Sequence, residues 1–195
     1  MLKRAFLFAL VAGLLVWGGC ATLKELANFA KCKFRYTKIT QTQVAGVDVT
    51  KVMNYKDLNF TDAAKVAANV VQGKLPLNFT INLQVTNPHT ELAALNKLDW
   101  IAFIDDKQLV SGVLNKRVEI GAGQTTNLPL TVVADLVQTF KGESKDKIPT
   151  YAFGLADKDG KPTRVGMKVK PTIMVGGMSF AYPGWITLSQ DFKTE

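Results

Sequence analysis

Residues 75–86 read LPLNFTINLQVT. Leu75, Leu77, Phe79, Ile81, Leu83 and Val85 are apolar, and Pro76, Asn78, Thr80, Asn82, Gln84 and Thr86 fall between them. Successive side chains of a strand point to opposite faces, so strict alternation over this length describes a strand with one face in a core and one in water. Asn87-Pro88 then ends it, because proline cannot donate to a ladder and Asn-Pro favours a turn.

The same pattern recurs to either side. Val165, Met167, Val169, Ile173 and Val175 share one face, with Pro171 interrupting as an edge or bulge residue would. Leu98–Ile104, Leu109–Ile120 and Asn127–Val133 are further strands, separated by turn signals at Asp105-Asp106 and Gly121-Ala122-Gly123. The first two form a hairpin across the acidic turn. Thr37–Val49 supplies the opening strand or strands, and Ala152–Leu155 and Phe180–Leu188 supply two more, the second broken at Pro183-Gly184. Two segments have a different period. Ala63, Ala64, Val66, Ala67, Val70 and Val71 recur at helical spacing, with Thr61 placed to cap and Gly73 to terminate. Ala134–Phe140 reads as a second short helix, followed by a polar loop at 141–147. About seven or eight short strands with one or two helices predict an all-β chain, an antiparallel β-sandwich.

The N-terminus has another grammar. Residues 1–20 read MLKRAFLFALVAGLLVWGGC: Lys3 and Arg4, an apolar run, two glycines, then Cys20. Spanning a bilayer takes about 20 apolar residues. Ala5 to Gly19 offers 15, and the polar tract from Thr22 follows at once. The stretch is therefore read as an export signal, residues 1–19, rather than a retained anchor. It is similar to the lipobox of bacterial lipoproteins, which places lipid on the Cys20 thiol; Trp17 stands where an aliphatic residue is usual. Residues 20–31 are expected to form a tether with one or two helical turns, and residues 32–195 a single domain. The expected location is the bacterial cell envelope, facing the periplasm. Ala21 after the cysteine, by analogy, favours the outer membrane.

Charge and composition narrow the chemistry. Without residues 1–19 there remain 22 Lys+Arg against 16 Asp+Glu, a net charge of about +6. A basic surface in the envelope suits anionic lipid headgroups or lipopolysaccharide, although the lysines are scattered singly, as on an ordinary solvated surface. With Cys20 lipidated, Cys32 has no partner for a disulfide and reads as a buried structural thiol. One histidine, His89, beside a proline, cannot build a Cys-His or Ser-His-Asp site with any neighbour the sequence identifies, and Ser111-Gly112 lacks a nucleophile elbow. Two cysteines and one histidine cannot make a zinc site. Asp157-Lys158-Asp159-Gly160 begins like a calcium loop but lacks the glutamate that should follow. Gly121-Ala122-Gly123 opens no helix after a parallel strand. Trp100, Trp185, Tyr182 and Phe180 read as core and edge packing, and no basic-aromatic interleaving suggests nucleic acid. The expectation is no catalytic residue, no cofactor and no metal.

The run from Leu75 to Leu136 resembles the type 2 late embryogenesis abundant family, also called the WHy domain for water stress and hypersensitive response. The resemblance lies in an alternating strand ending in Asn87-Pro88, the Asp105-Asp106 hairpin, Gly112, and Gly123-Gln124-Thr125 before another apolar strand. His89 departs from the polar residue, often a second Asn, that many members carry after the proline. The lipobox and the ending Lys170-Pro171 … Tyr182-Pro183-Gly184 are similar to bacterial lipoprotein members. The resemblance implies a fibronectin type III-like or immunoglobulin-like sandwich, a role in desiccation and stress by protecting or binding other components, and no enzyme activity. Asn87, Pro88, Gly112, Gly123 and Thr125 are expected to be structural, with the Asn87 side chain bonding nearby backbone to hold the strand end. Two other readings fit the same residues: an adaptor in an envelope protein complex that uses a sheet edge, and a carrier of a small apolar ligand.

Overall fold

The computed structural model describes residues 21–50, 52, 55–104, 106–142 and 165–190. The signal, Cys20, Ala152–Leu155 and Asp157–Gly160 lie outside the described residues. The fold is mostly β, with antiparallel pairing throughout, as the alternation predicts.

The first described element is a helix, α1, over residues 21–30. It is followed by β1 (Lys33–Val44), β2 (Val47–Asp48), a 3-10 turn (Tyr55–Asp57), α2 (Phe60–Val71), β3 (Pro76–Thr86), β4 (Ala93–Leu95), β5 (Lys97–Ile104) and β6 (Lys107–Leu114). Then come β7 (Val118–Ile120), β8 (Thr125–Asp135), α3 (Leu136–Thr139), β9 (Val165–Val175), β10 (Met178–Ala181) and β11 (Ile186–Gln190). One sheet has the order β2-β1-β3-β8. The other has β10-β9-β5-β6, with β11 also on β9, and β4 and β7 form a separate ladder. Eleven strands are described where seven or eight were expected, because several expected strands are split and β4 (Ala93–Leu95) falls where none was expected. Leu109–Ile120 breaks into β6 and β7, and Phe180–Leu188 into β10 and β11.

Strand β3 runs through the centre of the first sheet, paired along its length with β8 and, across two irregularities, with β1. Its five alternating apolar residues, and Leu75 just before it, are all at most 1 % exposed. They meet Leu98, Trp100, Ala102 and Ile104 of β5 and Val165, Met167 and Val169 of β9 in one continuous core. Burying a large aliphatic or aromatic side chain contributes about 1.5–3 kcal/mol, so this stripe is the main cohesive element. Tyr36 ties the sheets together further: its hydroxyl donates to the Leu188 carbonyl at 2.9 Å.

Two local findings depart from expectation and a third agrees with it. Pro171 does not lie on an edge strand; β9 is flanked by β5 on one side and by β10 and β11 on the other. The Pro171 carbonyl accepts from the Tyr182 N–H, and in a strand a residue's N and C=O point to the same side. The missing N–H therefore faces the break between β11 and β10, where no ladder bond is needed. The cap of α2 is Asn59, not Thr61: the Asn59 Oδ1 accepts from the Asp62 N–H at 2.9 Å, and Thr61 already lies within the helix. Gly73 does terminate it. At φ +73° it donates to the Val70 carbonyl, and Lys74 donates to Asn69, the two bonds of a Schellman ending.

Residues 21–31 form more than a loose tether. α1 extends over ten residues, Phe29 is fully buried in the main core, and Leu26 packs with Ala94 and Ile173. Lys24 pairs with Glu91 at 2.8 Å and Glu25 with Arg117 at 3.1 Å.

Candidate functional site

Asn87 is the most constrained polar residue among the described residues. It has no exposed surface. Its Nδ2 donates to the carbonyls of Glu91 at 2.8 Å, Ile120 at 2.9 Å and Gly121 at 3.1 Å. Its Oδ1 accepts from the His89 N–H at 3.0 Å, and its backbone N–H donates to the Gln124 carbonyl. One amide thus ties the end of β3 to the 88–91 turn, the end of β7 and the 121–124 turn. A fully buried amide whose donors are all taken up by backbone is held in place as a structural group. Pro88 beside it is exposed.

The other motif residues surround the same architecture. Gly123 takes φ +66° and donates to the His89 carbonyl at 3.2 Å, so the two turns are bonded directly. Thr125 stands opposite Thr86 in the β3–β8 register, and their hydroxyls are 2.8 Å apart. Gly112 lies elsewhere, opposite Trp100 in the β5–β6 hairpin. A Cβ there would come within 2.1 Å of the Trp100 ring, so the indole of Trp100, 6 % exposed, lies across the space a side chain would fill. The hairpin itself leaves two residues between Ile104 and Lys107, with Asp106 at φ +65°.

Titratable groups near this end are engaged structurally. Cys32 is buried, its Sγ 3.5 Å from the Asn28 carbonyl, and burial pushes its thiol up to about 11. A thiol so disposed is a weak nucleophile at neutral pH. Burial likewise pushes the Tyr36 phenol upward. The Lys24 ammonium on Glu91 holds that exposed carboxyl below its usual range. A shallow groove between α1 and the turn is lined by Ala21, Lys24, Glu25, Asn28, Glu91 and Leu92. Among the described residues no three His, Cys, Asp or Glu side chains gather as a metal site.

Other expected sites behave less uniformly. Trp100 is core, whereas Trp185 is 43 % exposed and Phe180 half-buried. The sequence reading did not single out Asp135, whose Oδ1 accepts from the Leu75 and Val137 N–H groups, both at 3.0 Å, tying the start of β3 to α3. An Asp directly before a helical stretch is a capping signal; its bond to a residue 60 positions away is not legible locally.

No family model matches the sequence, and no curated protein does. Among solved structures, the chain is similar to a protein of Arabidopsis thaliana known in solution, at 12 % identity and TM-score 0.40, over 84 % of this chain and 85 % of that one. It is similar to a candidate late embryogenesis abundant (LEA) protein, also known in solution, at 13 % identity and TM-score 0.34, over 95 % and 86 %. A crystallised protein from Archaeoglobus fulgidus shows 13 % identity and TM-score 0.34, over 62 % and 86 %.

Proposed function

We propose that this chain is a non-enzymatic, lipid-anchored protein of the bacterial cell envelope with a protective or binding role under water stress. The observation that carries the reading is the ordered series Asn87-Pro88, Asp105-Asp106, Gly112, Gly123-Gln124-Thr125 along Leu75–Leu136, which resembles the WHy domain. The consumption of Asn87, Gly112, Gly123 and Thr125 in holding backbone and core is consistent with it. The signal-like run ending at Cys20 supports attachment through lipid, and the basic balance supports an outward surface compatible with anionic headgroups. Under this reading the protein needs no cofactor and binds no nucleic acid.

The test has two arms. The purified chain should preserve the activity of a dehydration-sensitive enzyme through drying at equimolar ratio or below; protection no better than that of an inert globular protein would overturn the role. Cys20→Ser should release the chain from membranes or leave it unprocessed, and an unchanged membrane fraction would overturn the anchor. A second reading, an envelope adaptor using strand addition, draws on β6, which ends its sheet. One stoichiometric partner in a detergent pulldown, lost when a proline is placed in β6, would favour it.

A further inference from the structure

The outward face of the β1-β3-β8 sheet has an organisation that no motif signals. Because directly paired residues share a face, the register sets Arg35, Gln84 and Asn127 in one row across three strands. The rows on either side begin with Lys33 and Lys38 on β1. Lys33, Arg35, Lys38 and Asn127 are exposed and Gln84 half-exposed, and among the described residues none of the three cations makes an ion pair. These rows carry no carboxylate and no aromatic ring. The result is a cationic margin beside the Gln84 and Asn127 amides, flanked by the Thr86–Thr125 hydroxyl pair and by Asn82, whose amide donates to the Lys38 carbonyl and to Thr40.

We propose that this face binds an anionic polysaccharide, a sugar chain bearing carboxylate or phosphate groups. Charge complementarity is the first argument: three unpaired cations stand along one strand, with no opposing charge in their rows. The second is the chemistry beside them. The Gln84 and Asn127 amides, side by side in the middle row, both donate and accept, which matches sugar hydroxyls; a bare anion would need donors alone. The absence of rings disfavours single-stranded nucleic acid, whose bases require stacking platforms. The absence of large apolar residues from these rows offers nothing to insert into acyl chains.

The test uses the Cys20→Ser chain, which carries no lipid, in detergent-free buffer, titrated with polygalacturonate, neutral dextran, single-stranded DNA and phosphatidylglycerol vesicles. Polygalacturonate should bind, weakening as salt rises, and the other three should bind at least tenfold more weakly. The triple variant Lys33→Gln, Arg35→Gln, Lys38→Gln should lose at least tenfold. The pair Gln84→Ala, Asn127→Ala should lose three- to tenfold with an unchanged salt dependence, since no charge is removed. Circular dichroism melts of both variants confirm the fold. No binding of polygalacturonate would overturn the proposal. So would equal binding to DNA or vesicles, which would reduce the face to general charge attraction, and so would an unaffected amide pair.

Discussion

At the scale of single residues, Asn87 and Gly112 show two ways a position becomes irreplaceable. Asn87→Ala would strand three buried or half-buried carbonyls, each such loss costing about 1–3 kcal/mol; a total of roughly 3 kcal/mol or more is expected in urea unfolding. Asn87→Asp should be at least as harmful, because a carboxylate cannot donate and would face the carbonyls of Glu91, Ile120 and Gly121. Gly112→Ala places a methyl group in the Trp100 ring. It should cost about 1–3 kcal/mol as an overpacking substitution, and Trp100→Leu in the same chain should recover part of that loss if the ring is the obstacle. The sequence identifies Asn87-Pro88 as a strand stop, but not the partners of the amide, which come from residues 4, 33 and 34 positions away. The same limit hides the pairing of Gly112 with Trp100, since it requires the hairpin register.

Secondary-structure elements divide by whether local chemistry suffices. β3, β5 and β9 were legible because alternation reports burial directly, and the observed limits of β9 are those read from the sequence. Helix α1 is under-read because tertiary packing buries its short apolar face: Leu26 lies against Ala94 of β4 and Ile173 of β9, and Phe29 sits in the main core, edge-on to Phe34 of β1. Pro171 was misplaced because a sequence shows that an N–H is missing, not where neighbouring strands break. The β1–β2 connection yields a further prediction. Ala45 and Gly46 both take positive φ, 51° and 75°, between the paired residues Val44 and Val47, the geometry of a type I′ turn. Alanine is strained there, whereas asparagine tolerates it. Ala45→Asn should stabilise the fold by about 0.5–1 kcal/mol, read as a higher urea midpoint. Conversely, Asn59→Ala should lose about 1 kcal/mol by removing the cap of α2.

For the molecule as a whole, buried acids set the pH response. Cys32 and Tyr36 both have pKa values raised by burial. Such groups stabilise the fold fully below their unfolded values and lose that contribution as pH rises through the folded ones. For Cys32 the window runs from 9.0 to about 11. Urea midpoints should therefore hold near neutrality and fall above pH 9, and Cys32→Ala should flatten part of that decline. In a Cys20→Ser background, Cys32 should resist thiol reagents at pH 8 until the chain unfolds. The opposite limb is governed by exposed carboxyls. Asp62, lowered by Lys65 and Asn59, and Glu91, lowered by Lys24, contribute above their unfolded values and lose that contribution as acid protonates them.

The close docking of α1 has a mechanical consequence. The helix is described from residue 21 onward and is fastened by Phe29, Leu26 and two ion pairs. Ten helical residues span about 15 Å, and no slack chain separates the described helix from position 20. A lipid on Cys20 would act as a fixed footing instead of a leash. The body would then keep a constant height and present the same side to its surroundings, so its working radius would be confined to the layer immediately above the bilayer.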